Sequence, residues 1–164
     1  MNKTDRRLLD DLLDSWDRNN TITVNLLRAV PDDALDVRAM ATSPSVAQMF
    51  MHLHYVRLVH IVEDAPEFAR GELPEEWGVE RDRDRLAEML NQSAAAVRDA
   101  VRSRVEEGRA MNLHYDYPLL MIQHLLWHDA YHHGQIKLAL KLADRPIAND
   151  EIGVPTWGVW MDKK

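Results

Sequence analysis

The chain has 164 residues, 46% of them hydrophobic, a length and composition that suit one domain spanning 1–164. Its 20 Lys and Arg against 27 Asp and Glu leave a formal charge of −7, which argues against recognition of a nucleic-acid backbone. No cysteine is present, so disulfides, thiolate nucleophiles, iron–sulfur clusters and cysteine-type zinc sites are excluded.

The first predicted helix covers about 5–29. Leu8, Leu9, Leu12, Leu13 and Trp16 recur at three- and four-residue steps, and Ile22, Leu26 and Leu27 resume the face. Thr4 is placed to cap its start, and Pro31 prevents its continuation. A polar loop over 31–42 follows. Ser43 and Pro44 then read as a helix start, with the second helix reaching Glu63 or Asp64 and stopping before Pro66. Gly71, Pro74 and Gly78 mark 67–80 as a connection. A third helix begins near Asp82, carries Leu86, Met89, Leu90, Ala94, Val97, Val101 and Val105 at bundle spacing, and stops at Gly108. The fourth opens at Pro118, runs to about Ala143 and is closed by Pro146.

Four amphipathic rods of this length bury their stripes most economically against one another, so an all-α four-helix bundle is expected. Trp157 and Trp160 carry too much aromatic surface for a free end, and the tail from Ile147 is expected to fold back on the bundle. The longest apolar runs, 94–97 and 119–122, span four residues against the roughly 20 needed to cross a bilayer. The N-terminus also lacks the apolar stretch of a secretion signal, so a cytoplasmic protein without membrane partners is the expectation.

Eight histidines stand out. At about 100° per residue, His124, His128 and His132 form one slowly drifting stripe on the fourth helix, with Gln135 about 20° from His128. Imidazoles four residues apart sit one turn apart and can share a metal ion. A two-histidine site is incomplete, and the second helix offers His52, His54 and His60 as a third donor. Periodicity alone does not choose among them; His54 and His60 are most simply core or rim residues. Met49 and Met51 read as core packing, Trp16, Trp77 and Trp127 likewise, and Arg57 is no obvious substrate anchor.

The residues Ser45-Val-Ala-Gln-Met-Phe-Met-His52-Leu53 resemble the DinB-like (DinB/YfiT) signature, in which a histidine of helix two follows a short apolar run. His128-x-x-x-His132-x-Gly134-Gln135 resembles the family's helix-four signature, and Trp157-Gly-Val-Trp160 its usual C-terminus. The resemblance covers roughly 8–160. His133 stands where the family often carries arginine, so no charge-based role is carried to that position. The resemblance implies a four-helix bundle, frequently homodimeric, that holds a divalent zinc or nickel ion on His52, His128 and His132. Several such relatives are transferases or isomerases that use bacillithiol, mycothiol or glutathione, and many have no assigned reaction.

Three neutral histidines leave an open coordination position, the pattern of catalytic rather than structural zinc. The expected function is therefore transfer of a small-molecule thiol to an electrophile, or hydrolysis of a small substrate through metal-bound water. Any sulfur nucleophile must arrive as a cosubstrate, since the chain has none of its own. Gln135, Tyr131, Asp129 and His124 are candidates to support the site; Gln135 and Tyr131 share the ligand face, whereas Asp129, about 100° off His128, suits a neighbouring helix better. The alternative is a non-catalytic metal-stabilised bundle that binds a ligand or partner. His128-Asp129-x-x-His132 also looks like the HExxH of zinc proteases, but its carboxylate is one methylene short and no strand lines a cleft. A di-iron carboxylate bundle is excluded in its usual form by the lack of any Glu-x-x-His pair. Apolar positions around helices one and three suit a homodimer face.

Overall fold

The computed structural model describes residues 2–161, so the expected domain limits at 1 and 164 lie outside the described residues. Four long helices form the body: α1 (Lys3–Ala29), α2 (Val46–Asp64), α3 (Arg83–Glu106) and α4 (Pro118–Leu142). A short α5 (Asn149–Gly153) and a 3-10 turn at Trp157–Trp160 complete the chain. An isolated bridge between Arg38 and Ser45 is the one β-type pairing among the described residues.

Two helix starts differ from the sequence reading. Asn2, not Thr4, caps α1, its Oδ1 accepting the Asp5 N–H at 2.9 Å. At α2 the cap is Ser45 rather than Ser43. Its hydroxyl accepts the Gln48 N–H at 3.3 Å while the Gln48 side chain accepts the Ser45 N–H at 3.0 Å. That reciprocal pair satisfies two otherwise orphaned donors, which a serine followed by proline two residues earlier does not offer. Leu8, counted with the apolar face of α1, is 59% exposed, because the buried line runs through Leu9, Leu13 and Trp16 instead. The stop at Gly108 is as expected: φ of +65° there lets Arg109 N–H reach the Arg104 carbonyl at 2.8 Å.

The apolar core is split. One cluster holds Val24, Leu27, Phe50, Leu53, Leu86, Leu90, Ile136 and Leu140; the other holds Leu9, Leu13, Ile61, Val97, Val101, Met121 and Leu125. The order in which each helix visits the two clusters gives its direction. α2 and α3 run together, and α1 and α4 run opposite to them. Two consecutive parallel helices require a return, and the connection 65–82 supplies it by travelling the length of the bundle. The expected tail contact is present. Asn25 donates to the Pro155 carbonyl at 2.7 Å, Arg18 donates to that of Val159, and the Lys137 ammonium lies 5.1 Å from the Trp157 ring.

Between the two clusters runs a polar waist. Arg57 of α2, wholly buried, donates to Asp129 Oδ2 of α4 at 2.6 Å, to Asn20 Oδ1 of α1 at 2.8 Å and to the Leu90 carbonyl of α3 at 3.1 Å. Asn19 gives Asp129 Oδ2 a second bond at 2.6 Å. The Arg57 guanidinium also lies 5.0 Å from the Trp16 ring, whose Nε1 donates to the Ala94 carbonyl at 2.9 Å. All four helices thus converge on one ion pair.

Candidate metal centre

Three histidines of the waist meet. His52 comes from α2, and His128 and His132 come from successive turns of α4. Their ring centroids are 5.2 Å (His52–His128), 4.8 Å (His52–His132) and 4.6 Å (His128–His132) apart. One ligand atom from each lies within 4.8 Å of the other two. His52 and His132 are buried, and burial, reinforced by the neighbouring imidazoles, lowers both to about 4, so both are neutral near pH 7.

Two Nε2 atoms, of His52 and His128, stand 3.3 Å apart. The edge of a tetrahedron with zinc–nitrogen bonds of about 2.0–2.1 Å is roughly 3.3–3.4 Å. The spacing thus fits a shared cation, whose coordination satisfies lone pairs that burial otherwise makes costly. On the far sides of the rings the Nδ1 atoms of all three are buried without a hydrogen-bond partner, although carboxylates stand near two of them. Asp129 Oδ1, buried and without a hydrogen bond, lies 3.9 Å from His128 Nδ1. Burial works to raise the Asp129 carboxyl, but the Arg57 guanidinium and the His128 ring overcome it and hold it at about 2. Asp129 therefore does serve a neighbouring helix, through Arg57, while its other oxygen stands near His128 without bonding it. Gln135 stands beside His132 in the lining of the same cavity. Glu76 Oε1 is 3.3 Å from His52 Nδ1, although not aligned for a hydrogen bond.

The sequence of the DinB family matches this chain over residues 1–154. The chain belongs to the DinB family. No curated protein and no solved structure matches it.

Within this DinB-family bundle the other predicted residues have distinct positions. Tyr131 packs edge-on to His132 at 5.1 Å and stacks on Trp127 at 5.9 Å. Tyr131, His132 and Gln135 line a cavity of about 420 Å³ together with Met40, Met49 and Trp77. His124 is turned from the centre toward the bundle end, where its Nδ1 lies 2.8 Å from the Tyr115 hydroxyl. His54 is buried in the wall of a different cavity, beside the Met89 backbone. His133, half-buried, meets the Thr23 hydroxyl at 2.9 Å, and burial lowers it to about 4. It is a neutral member of the waist.

The sequence reading missed two contributors. Trp77, read as packing, stacks on His52 with ring centroids 4.0 Å apart and planes 3° from parallel. Its neighbour Glu76 faces the same ring. Both belong to the return connection, and its path across the bundle face brings them over α2. The only available signal was the need for that return, since the connection has no periodicity.

Proposed function

We propose that the chain holds a divalent ion of the zinc or nickel class on His52, His128 and His132. It then works as a metal-dependent enzyme that joins a small-molecule thiol, or water, to a small electrophile. The observation that carries the catalytic reading is the incomplete ligand set beside a cavity. The group comprises three histidines, and the nearest additional carboxylate, Glu76, approaches His52 at Nδ1, away from the shared Nε2 side. A centre with three protein ligands keeps a position for substrate, which favours this reading over a purely structural ion.

When bound, the ion supplies the Lewis acidity that makes a thiol or water a nucleophile near neutral pH. The chain's residues do the remaining work. Met40, Met49, Trp77 and Leu138 give the cavity a largely apolar wall that takes an apolar substrate and excludes water. The Gln135 amide and the Tyr131 ring line it beside His132, where a polar group of the substrate is oriented. Asp129 keeps its charge at neutral pH and, anchored by Arg57 and Asn19, fixes the rotation of α4 that brings His128 Nε2 toward the centre. With no cysteine in the chain, the sulfur of a transfer reaction comes from a cosubstrate.

The reading includes a homodimer. Of α1 and α3, expected to present its face, only Leu8 is a large exposed apolar side chain among the described residues. Leu120, Trp127, Tyr131, Leu138 and Leu142 instead line one exposed stripe of α4, and this supports α4 as the interface.

The test is elemental analysis of the purified protein and its variants, followed by thiol-conjugation assays with a panel of electrophiles. His132→Ala removes the tightly held metal while helical circular dichroism persists, and His54→Ala leaves the metal in place. The opposite pattern refutes the ligand assignment. A metal-loaded protein inert toward every electrophile and hydrolysable ester in the panel refutes the catalytic reading.

A further inference from the structure

The far end of α2 carries another group of ligand-type side chains that the centre above does not use. We propose that His60, Glu63 and His114 form a second, independent site for a divalent cation of the zinc class, tying the loop between α3 and α4 to the end of α2. One ligand atom from each lies within 4.8 Å of the other two. His60 and Glu63 are three residues apart on α2 and share a face of the helix. His60 Nδ1 is buried with no hydrogen-bond partner, and burial, with the neighbouring histidines, keeps the ring neutral at about 4.

His114 is held toward them by a fixed loop. Asp64, wholly buried, accepts the N–H groups of Leu113 and His114 on Oδ1, both at 2.8 Å, and Oδ2 lies 2.9 Å from His114 Nδ1. A carboxylate bonded to a ring nitrogen is the usual means of fixing a ligating imidazole. Glu63 Oε2 stands 3.7 Å from the same nitrogen, beyond hydrogen-bond range, so its oxygen is not consumed by that ring. His124 has its ring 5.3 Å from His60 and its Nδ1 2.8 Å from the Tyr115 hydroxyl, and stands outside the group whose ligand atoms lie within 4.8 Å of one another.

Two imidazoles and one carboxylate suit zinc, nickel or cobalt, whereas calcium and magnesium prefer all-oxygen shells. Glu63 and His114 are exposed, so water completes the coordination and the affinity is lower than at the buried centre. His60 lies eight residues beyond His52, or about 12 Å along the helix, against about 3.5–4 Å for a bridged metal pair. The two sites share no ligand.

Calorimetric titration of the chelator-treated full chain with zinc chloride tests this. The wild type is expected to take up two equivalents, the second more weakly. Glu63→Gln and His114→Ala weaken only the second, by more than roughly tenfold, the lower bound for losing even an outer partner of a metal site. His132→Ala removes only the first. Glu63→Gln changes an exposed side chain and keeps the test valid if His114→Ala loosens the loop. An equivalent sensitive to both substitutions upholds the site whatever His132→Ala does, which separates its fate from that of the first centre. If no equivalent responds to Glu63→Gln and His114→Ala, the site does not exist.

Discussion

Replacing Arg57 with methionine removes the cation on which all four helices converge. The three bonds lost comprise one to a carboxylate at 2.6 Å and two to neutral oxygens at 2.8 and 3.1 Å. All three have the charged guanidinium as donor, and a hydrogen bond involving a charged group contributes about 1.5–3 kcal/mol net. Such terms do not add within one network, so the expected loss is about 3–5 kcal/mol, the typical cost of leaving one partner of a buried ion pair alone. For a domain of this size that lowers Tm by roughly 6–20 °C. The sign of the pH dependence makes the argument sharper. In the wild type Asp129 is held at about 2, below its ordinary 3.8, so its contribution is present above 3.8 and is lost as the pH falls toward 2. Without Arg57 burial dominates and the carboxyl rises above 3.8. The deficit of Arg57→Met is then largest near neutrality and shrinks as acid protonates Asp129. Urea unfolding of both proteins at about pH 7 and about pH 4.5 measures this difference, with His54 and His133, whose protonation the Arg57 charge opposes, replaced by glutamine in both. Adding Asp129→Leu to Arg57→Met should restore most of the stability, since a buried pair is replaceable by apolar side chains of similar volume. A cost below about 1 kcal/mol, or a double variant no better than the single one, refutes the waist as a charge-balanced unit.

Acid sensitivity should appear well before any carboxylate titrates. Burial lowers His52, His54, His60, His132 and His133 from 6.5 to about 4, so the unfolded chain binds protons first. Stability of the metal-free protein is expected to be flat above about pH 6.5. It then falls between there and about pH 4, by at most about 1.4 kcal/mol per pH unit for each fully buried ring. Thermal melts across that range read it, and a flat Tm down to about pH 5 contradicts it. Trp77→Ala removes the ring stacked on His52 and should weaken zinc binding about 2- to 12-fold, from an aromatic pair worth about 0.5–1.5 kcal/mol. Unchanged zinc calorimetry would make the stack incidental. Ser45→Ala should cost about 1 kcal/mol in urea unfolding, whereas Ser43→Ala should cost almost nothing, which separates the observed cap from the expected one.

Which parts were legible in the chain follows from what each signal measures. Helix number and approximate extent rest on apolar recurrence and on Pro31, Pro66, Gly108 and Pro118, local features that tertiary contacts do not overrule. The α4 pair His128 and His132 was legible for the same reason, as four-residue spacing fixes a shared face. The third member, His52, came only from the family resemblance, because spacing on α2 does not choose it. His52 and His54 stand on opposite shoulders of α2, and only the packing of α2 on α4 turns the former inward and buries the latter beside Met89. Arg57 shows the limit most clearly: a lone arginine in an apolar helix gives no hint of a carboxylate 72 positions later in the chain. Glu76 and Trp77 depend on the path of a crossover, which composition does not encode.

The same logic explains why α4 is a poor guide to the core by hydropathy. Its inward side carries His128, Asp129 and His132, while Trp127, Tyr131 and Leu138 face outward or border the cavity. The usual apolar-in, polar-out order is locally inverted, so this segment alone gives no true inward side, although Met121, Leu125, Ile136 and Leu140 on either side of it are buried as expected. What keeps the inverted segment in place is the waist: Asp129, one residue from His128, is anchored to Arg57 and Asn19, fixing the helix rotation that aims both imidazoles at His52. The ion pair and the histidine triad are therefore one construction. A charge buried at the centre of the bundle costs stability that an apolar layer would not, and that cost is understandable if its role is to set the orientation of the rings.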